Sequence, residues 1–198
     1  MTALVLASRS PARSRIMAAA GLSFSTASAD IDERAEEAEL VASGADPGTV
    51  AAHLAGTKAL VIAPHFPDAI VVGADQTLDL EGERFTKPDS MDEAREQLRR
   101  LRGRSHMLHS AVACVSGGKI QWQSVESARL TMRDFSERFL DDYMAVAGPR
   151  ALESVGAYHL EGVGVQLFEK VEGDFFTILG LPLLPLLAYL RSIGIAAS

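Results

Sequence analysis

A chain of 198 residues with 47 % hydrophobic and 23 % charged residues has the composition of a globular protein, and its length fits one domain of generous size or one domain with two lobes. Its formal net charge of −7 argues against binding along DNA or RNA, because contact with a phosphate backbone depends on surplus lysine and arginine. Small phosphate compounds stay compatible with this charge where positive side chains converge locally. We therefore expect a small-molecule partner and no nucleic-acid partner.

The sequence indicates a cytoplasmic protein without a membrane partner. The N-terminal stretch MTALVLASRSPARSR has too short an apolar part for a signal peptide, and its basic residues follow that part. The most apolar segment, ILGLPLLPLLAYL, contains two prolines and is shorter than the roughly 20 residues of a membrane-spanning helix. Cys114 is the single cysteine and lies in the apolar run SAVACV, which is typical of a buried thiol.

The first part of the chain predicts alternating strands and helices. Apolar runs of strand length alternate with segments that carry helix start signals such as Ser-Pro and Asp-Pro. The expected elements are a strand over 3–7, a helix that Ser10 caps and Gly21 ends, a strand over 23–29, an acidic loop passing into a solvated helix from 30, a helix from Asp46 to about Ala63, and a buried strand over 69–74.

Hairpins dominate the later part, where pairs of turn residues separate alternating runs. Together with the earlier alternation, this predicts a mixed β-sheet flanked by helices. The expected elements are a hairpin over 76–86, a helix that Ser90 caps and Gly103 closes, two strands within 105–132 around Gly117-Gly118, a helix from Ser136 to about Ala147, an irregular stretch over 153–164, a hairpin over 165–178, and a helix from Pro182.

The segment LASRSPAR at 6–13 is the first candidate binding site. A strand ends, a serine-rich turn follows and a helix begins, so free N–H groups and the hydroxyls of Ser8 and Ser10 suit a bound phosphate. Arg13 lies in the first helical turn, where a guanidinium can clamp phosphate oxygens. The alternative is simple capping by Ser10 with a solvated Arg13, and the segment by itself favours that alternative.

Asp75 is the second candidate, because it directly follows the buried strand in VVGADQT. Ligands of open α/β sheets gather at the carboxyl ends of strands, where a carboxylate is well placed for a metal or a substrate. The alternative is an aspartate that caps the turn into the following hairpin. The sequence gives the two interpretations about equal weight.

Further charged residues are weak candidates one by one. Lys58 falls on the apolar stripe of its helix, where a lysine either snorkels to solvent or points at an anion. Lys87 precedes a proline in a loop, and Glu33 lies in the acidic stretch. Taken together, Arg13, Lys58 and Lys87 form a positive set, and Glu33 and Asp75 form an acidic set. Phosphate bound with a divalent metal is the chemistry that uses both sets.

These segments together resemble the Maf family of nucleotide pyrophosphatases. The resemblance covers nearly the whole chain in the same order, which makes it far more specific than any one motif. The motifs that carry it are LASRSPARSRIM from residue 6, VGADQT from 72, TKP at 86–88, GRSH at 103–106, and YHLEGVGVQLFEKVEGDFFTILGLPL at 158–183.

The resemblance implies a fold, an assembly and a reaction. The fold is α/β, an elongated mixed β-sheet flanked by helices, with two lobes around a central cleft, similar to inosine triphosphatases. The chain would be a single domain over 1–198 with two lobes, and a homodimer. The reaction is cleavage between the α and β phosphates, and it depends on a divalent cation such as Mg²⁺ or Mn²⁺.

The resemblance also assigns roles to residues. The catalytic carboxylate is the aspartate of the GAD motif, Asp75, which together with Glu33 would hold the metal. The substrate-binding positions implied by the motifs and the loop are Ser8, Ser10, Arg13, Glu33, Lys58 and Lys87.

Three further positions bear on the choice of base. The loop of the family usually reads SPRR, whereas Ala12 here lacks a basic group. Gln76 and Glu161 stand where the branch acting on dTTP and UTP carries threonine and glutamine, and they resemble the branch that prefers 7-methyl-GTP. Ala12 fits neither pattern fully.

Glu161 also suits a methylated guanine on chemical grounds. The N1–H and N2–H₂ groups of 7-methylguanine are adjacent donors on a ring with positive charge, and one carboxylate can accept both. A uracil offers one N–H between two carbonyls, which suits an amide better. The alternative is a solvated loop residue beside the site.

The sequence therefore predicts a metal-dependent nucleoside triphosphate pyrophosphatase that prefers 7-methyl-GTP and releases pyrophosphate by water attack at the α phosphorus. One alternative is the same reaction on dTTP and UTP. Another is a nucleotide-binding regulator of cell division without turnover, since the family is associated with septum formation. Intact Asp75, Lys58 and Lys87 argue against an inactive protein.

Overall fold

The computed structural model describes residues 3–28 and 30–196, and its fold is the predicted mixed α/β architecture. A seven-stranded sheet has the order β2-β1-β3-β5-β6-β7, and β4 pairs with β3. The strands are β1 (Ala3–Ala7), β2 (Ser25–Ala27), β3 (Ala69–Leu80), β4 (Glu83–Phe85), β5 (Ser105–Ser116), β6 (Lys119–Met132) and β7 (Phe168–Glu172). The helices are α1 (Pro11–Ala19), α2 (Glu33–Ala42), α3 (Pro47–Ile62), α4 (Met91–Leu101), α5 (Glu137–Ala147), α6 (Phe175–Ile178) and α7 (Leu183–Ser192).

The sheet is mixed, as the sequence predicts. Strand β1 pairs in parallel with both β2 and β3, whereas the β3–β4 and β6–β7 pairs are antiparallel. Glu81 and Gly82 form the predicted turn between β3 and β4, both with positive φ. The β2 strand is shorter than predicted, and Ala29 of the predicted span lies outside the described residues.

The prediction of a hairpin over 165–178 is wrong. Residues 168–172 form β7, which pairs with β6 at Arg129–Met132, and residues 175–178 form the short helix α6 instead of a return strand. The long strand β6 is the pairing partner of β7, in place of the return strand that the prediction placed within 165–178. Gly173 ends β7 with a φ of 134°.

The chain forms two compact units. The first consists of Met1–Gln76, His109–Glu126 and Phe175–Ser198, and the second of Thr77–Leu108 and Ser127–Asp174. The single domain with two lobes implied by the resemblance stays a prediction.

In the first unit both faces of β1 and β3 are covered. Alternate residues such as Leu4 and Leu6 belong to a cluster with side chains of α1 and α7, whereas Val5 and Ala7 belong to a cluster with α3. Burial on both faces explains why these strands are apolar without alternation. Cys114 lies in the first cluster, and burial raises the pKa of its thiol to about 12, so it is the predicted buried thiol.

In the second unit a buried polar pair lies among aromatic rings. His106 Nε2 and Tyr158 Oη are 2.7 Å apart, and both rings contact Phe168. Burial lowers the pKa of His106 to about 4, so the imidazole is neutral near pH 7. The predicted irregular stretch contains short 3₁₀ turns joined by residues without regular structure. The hydroxyl of Tyr143 in α5 donates to the carbonyl of Ala157, whose φ is 61°. This bond holds a backbone conformation that is unusual outside glycine.

Within residues 3–28 and 30–196, no helix is both long and apolar enough to cross a membrane.

Candidate active site

Lys58 and Asp75 form a buried ion pair in the first unit. Lys58 Nζ lies 2.6 Å from Asp75 Oδ1, and the two residues are 7 % exposed each. The same ammonium lies 2.8 Å from Glu33 Oε2 at the start of α2, where the glutamate is half exposed. Lys58 therefore points at anionic groups and does not snorkel to solvent, which was the other alternative for a lysine on this helix face.

The ion pair depends on a close approach of α3 to β3 at Gly73. A Cβ atom at Gly73 would lie 2.0 Å from the carbonyl oxygen of Ala55 and 3.0 Å from Cβ of Ala59. Both of these residues belong to α3, one turn before Lys58 and directly after it. Only glycine lets the helix axis come this near to the strand, and the lysine then reaches the carboxylate two residues further along β3.

We expect Gly73→Ala to destabilise the protein and to reduce activity. The atom that the new methyl group meets first is backbone, so helix and strand must separate, and overpacking of this kind costs about 1–3 kcal/mol. The separation also lengthens the Lys58–Asp75 contact. Urea unfolding gives the change in stability, and Gly162→Ala is the control because a Cβ atom there meets nothing nearer than 3.7 Å. Equal stability of both variants would contradict the packing argument.

The loop between β1 and α1 contains the two predicted serines. Ser10 is the N-cap of α1, and its hydroxyl accepts from the backbone N–H of Arg13 at 3.5 Å. The Ser8 hydroxyl accepts from the backbone N–H of Ser10 at 3.2 Å and from Arg13 Nη1 at 3.3 Å. Capping and a phosphate-binding loop use the same groups here, so the geometry is compatible with both interpretations. Ala12 is the second residue of α1 and brings no polar side chain to this loop.

Arg13 is not the solvated residue that simple capping requires. Its Nε donates to the carbonyl of Gly180 at 2.7 Å, and its Nη1 donates to the carbonyl of Ala74 at 2.8 Å. Burial lowers the pKa of the guanidinium, while the negative charges of Asp75 and Glu33 raise it. The positive group is therefore fixed next to the residue that precedes Asp75.

Gln76 follows Asp75 on β3, and its amide nitrogen is bonded within the protein. Nε2 lies 2.9 Å from Ser110 Oγ, 3.1 Å from the carbonyl of Thr177 and 3.0 Å from the carbonyl of Ile178. Sequence reasoning did not identify Ser110 or Gly180 as part of this region. Ser110 lies outside the family motifs, and Gly180 lies in the motif at 158–183 but has no side chain that would indicate a role. Their contacts join segments more than 30 residues apart.

The remaining predicted residues, Lys87 and Glu161, belong to the second unit. Lys87 lies in the exposed loop before α4. The carboxylate of Glu161 lies 3.9 Å from Nδ1 of His159, an ion pair only when the imidazole is protonated. The structure thus brings Ser8, Arg13, Glu33, Lys58 and Asp75 together in one unit, and it describes Lys87 and Glu161 in the other.

The carboxylates of Asp75 and Glu33 are the oxygen groups of this site that could bind a metal. Both bind the same ammonium ion, so they converge on one positive charge. In the described ranges, no cluster of three or more histidine, cysteine, aspartate or glutamate residues could hold a metal ion. Carboxylate oxygens are ligands that a hard divalent cation accepts, and such a cation can take further oxygens from substrate phosphates and water.

Residues 3–193 match the family model described as Maf-like protein. The chain belongs to this family. The resemblance seen in the sequence motifs is thereby confirmed.

Relatives in three bacteria cover nearly the whole chain. A protein of Brucella abortus named 7-methyl-GTP pyrophosphatase is 55 % identical over 95 % of this chain and 94 % of its own length. A protein of the same name from Rhizobium meliloti is 51 % identical over 96 % of each chain. A protein of Caulobacter vibrioides named nucleoside triphosphate pyrophosphatase is 48 % identical over 98 % of this chain and 97 % of its own.

Among solved structures, a nucleoside-triphosphatase described as a dITP/XTP pyrophosphatase from Mycobacterium abscessus aligns over 98 % of both chains. The TM-score is 0.43 and the sequence identity is 16 %.

Proposed function

We propose that this Maf-family protein is a nucleotide diphosphatase that hydrolyses nucleoside triphosphates to the monophosphate and pyrophosphate, and that it prefers 7-methyl-GTP. The observation that carries the proposal is the Lys58–Asp75–Glu33 ion-pair group beside the fixed guanidinium of Arg13. The names of the relatives support the reaction, and two of the three relatives described above support the base.

In the proposed mechanism the positive side chains hold the triphosphate. Phosphate oxygens compete with Asp75 and Glu33 for the ammonium of Lys58 and with Ser8 for the guanidinium of Arg13. Both cations balance charge on the leaving pyrophosphate. Phosphate oxygens take the place of the Ser8 and Ser10 hydroxyls as acceptors for the N–H groups at the start of α1, and the Ser8 hydroxyl donates to the phosphate. Lys87 contributes a further positive charge, a role that rests on the family motif alone.

Asp75 supplies the carboxylate that the attacking water needs. It accepts the proton of that water or binds the metal together with Glu33, and both roles depend on its negative charge. A divalent cation bound there would polarise the phosphate and acidify a coordinated water. We propose a homodimer, which rests on the family resemblance, and a cytoplasmic location, which rests on the N-terminal segment, the apolar segment and the single cysteine of the sequence.

Pyrophosphate release from a panel of nucleotides tests the proposal. Purified protein is incubated with 7-methyl-GTP, GTP, UTP or dTTP in Mg²⁺ or Mn²⁺, and the products are separated by anion exchange. We expect monophosphate and pyrophosphate in equal amounts, the highest kcat/KM for 7-methyl-GTP, and no release after chelation with EDTA. Binding without turnover would favour the regulator, and preference for UTP would favour the other branch of the family.

Glu161→Gln is expected to move preference from 7-methyl-GTP toward UTP and dTTP. The amide turns one acceptor into a donor, which opposes the guanine N–H groups and can meet a uracil carbonyl. A polar mismatch of this kind against the bound base costs about 1–3 kcal/mol, or one to two decades in relative kcat/KM.

The matched control is Glu169→Gln. Glu169 is an exposed glutamate of the same unit, so its substitution removes the same charge. The ratio of kcat/KM for 7-methyl-GTP and UTP is measured for both variants. If Glu161→Gln leaves this ratio unchanged while the wild type favours 7-methyl-GTP, another residue reads the base.

A further inference from the structure

The amide of Gln76 is part of a closed hydrogen-bond network. Its two N–H bonds are shared among Ser110 Oγ and the carbonyls of Thr177 and Ile178, all within 3.1 Å. While these bonds last, no N–H group of this amide is left for a ligand.

Ser110 closes the network from the neighbouring strand β5. Its side chain is fully buried, and its hydroxyl donates to the carbonyl of Thr177 at 2.7 Å while it accepts from Gln76. A buried hydroxyl is stable only where its hydrogen bonds are made. Gln76 and Ser110 therefore hold the end of α6 from two adjacent strands.

The segment they hold also positions Arg13. Two residues after α6, the carbonyl of Gly180 accepts from Arg13 Nε at 2.7 Å. Gly180 has a φ of 90°, and a Cβ atom there would lie 3.4 Å from both Nε and Nη2 of Arg13. The guanidinium is thus enclosed between the carbonyl of Gly180 on one side and that of Ala74 on the other.

We propose that Gln76 and Ser110 are positioning residues that fix segment 177–180 and, through the carbonyl of Gly180, orient the guanidinium of Arg13 beside Asp75. Gln76 then affects phosphate binding through Arg13. The family resemblance implies a different role for this residue, namely the choice of base. The functional part rests on the proposed pyrophosphatase reaction, whereas the orientation of Arg13 can be measured without it.

The direct test measures how fast the Nε–Hε proton of Arg13 exchanges with water, by NMR in ¹⁵N-labelled protein. Its signal is assigned as the one lost in Arg13→Lys. Gln76→Met keeps the size of the side chain and removes the donors, and Ser110→Ala removes the hydroxyl. We expect the Nε–Hε proton to exchange with water about five- to tenfold faster in each variant, because one lost hydrogen bond is worth roughly that factor.

Gln121→Met is the matched control. Gln121 also belongs to the first unit and donates to a backbone carbonyl, that of Ser116, but it is exposed and far in sequence from this segment. Its substitution should leave the Arg13 signal unchanged. Unchanged exchange in both folded Gln76→Met and folded Ser110→Ala overturns the proposal. If one variant does not fold, the other decides.

A double-mutant cycle with Arg13→Ala tests the functional part. Gln76→Met should lower kcat/KM about five- to tenfold in the wild type and less than about twofold in the Arg13→Ala background, since residues that act through one another are not additive. The ratio of 7-methyl-GTP to UTP turnover should not change. Additive losses with an altered base ratio would show that Gln76 reads the base directly.

Failure of the proposed function and failure of the positioning proposal give different results. A wild type without turnover of any nucleotide contradicts the proposed function, while the exchange of the Arg13 proton still decides whether Gln76 and Ser110 orient the guanidinium.

Discussion

Asp75→Asn is expected to abolish nearly all pyrophosphate release while the fold persists. The substitution is nearly isosteric, and the amide oxygen can still accept from Lys58, so the buried contact is weakened but not replaced by a void. It removes the negative charge that proton transfer or metal binding requires. Loss of a general base alone costs about 10²–10⁴-fold in rate.

Asp68→Asn is the matched control for this experiment. Asp68 directly precedes the other end of β3 and is exposed, so the same charge is removed without touching the ion pair. Its kcat should equal that of the wild type. Circular dichroism and thermal unfolding confirm that both variants are folded. An Asp75→Asn variant that retained more than about a tenth of the activity would end the catalytic assignment.

Lys58→Met is expected to lose both stability and activity. Methionine fills a similar volume on the apolar face of α3, but it leaves the buried carboxylate of Asp75 without its cation. Removing one partner of a buried ion pair costs about 3–5 kcal/mol, and the half-exposed Glu33 bears little of that cost. The positive charge that faces the triphosphate is lost at the same time.

The measurements are the free energy of unfolding in urea and kcat/KM with Mg²⁺. Lys119→Met is the control, because this exposed lysine at the start of β6 belongs to the same unit. The double variant Lys58→Met with Asp75→Asn should recover part of the stability without recovering activity, since the unpaired charge is gone. Normal kinetics and normal stability in Lys58→Met would reduce Lys58 to a residue that lines the core.

Local sequence signals determined most of the elements of this protein. Serine caps at Ser10, Ser90 and Ser136 start three helices, because the hydroxyl satisfies an N–H group that no helical carbonyl can reach. The turns at 81–82 and 117–118 separate paired or neighbouring strands, because their residues adopt positive φ. Such signals act within a few residues, and they are therefore legible in the chain.

The hairpin predicted over 165–178 shows where such signals fail. Alternating residues at 165–178 indicated two strands that pair with each other. Strand β7 pairs instead with β6, about 40 residues earlier in the chain. Pairing is a choice among distant partners, and the alternation of a single segment carries no information on it.

The candidate active site also combines features that the sequence determined with features that only the tertiary structure decided. The sequence by itself determined the residue types, Arg13, Glu33, Lys58 and Asp75, and the family motifs named their roles. Only the tertiary structure decided that Lys58 binds both carboxylates and that Arg13 is held between two carbonyls. It also decided that Gln76 donates to the end of α6. The physical reason is that each of these contacts depends on the packing of distant segments, such as the approach of α3 to β3 at Gly73, and no local pattern encodes that distance.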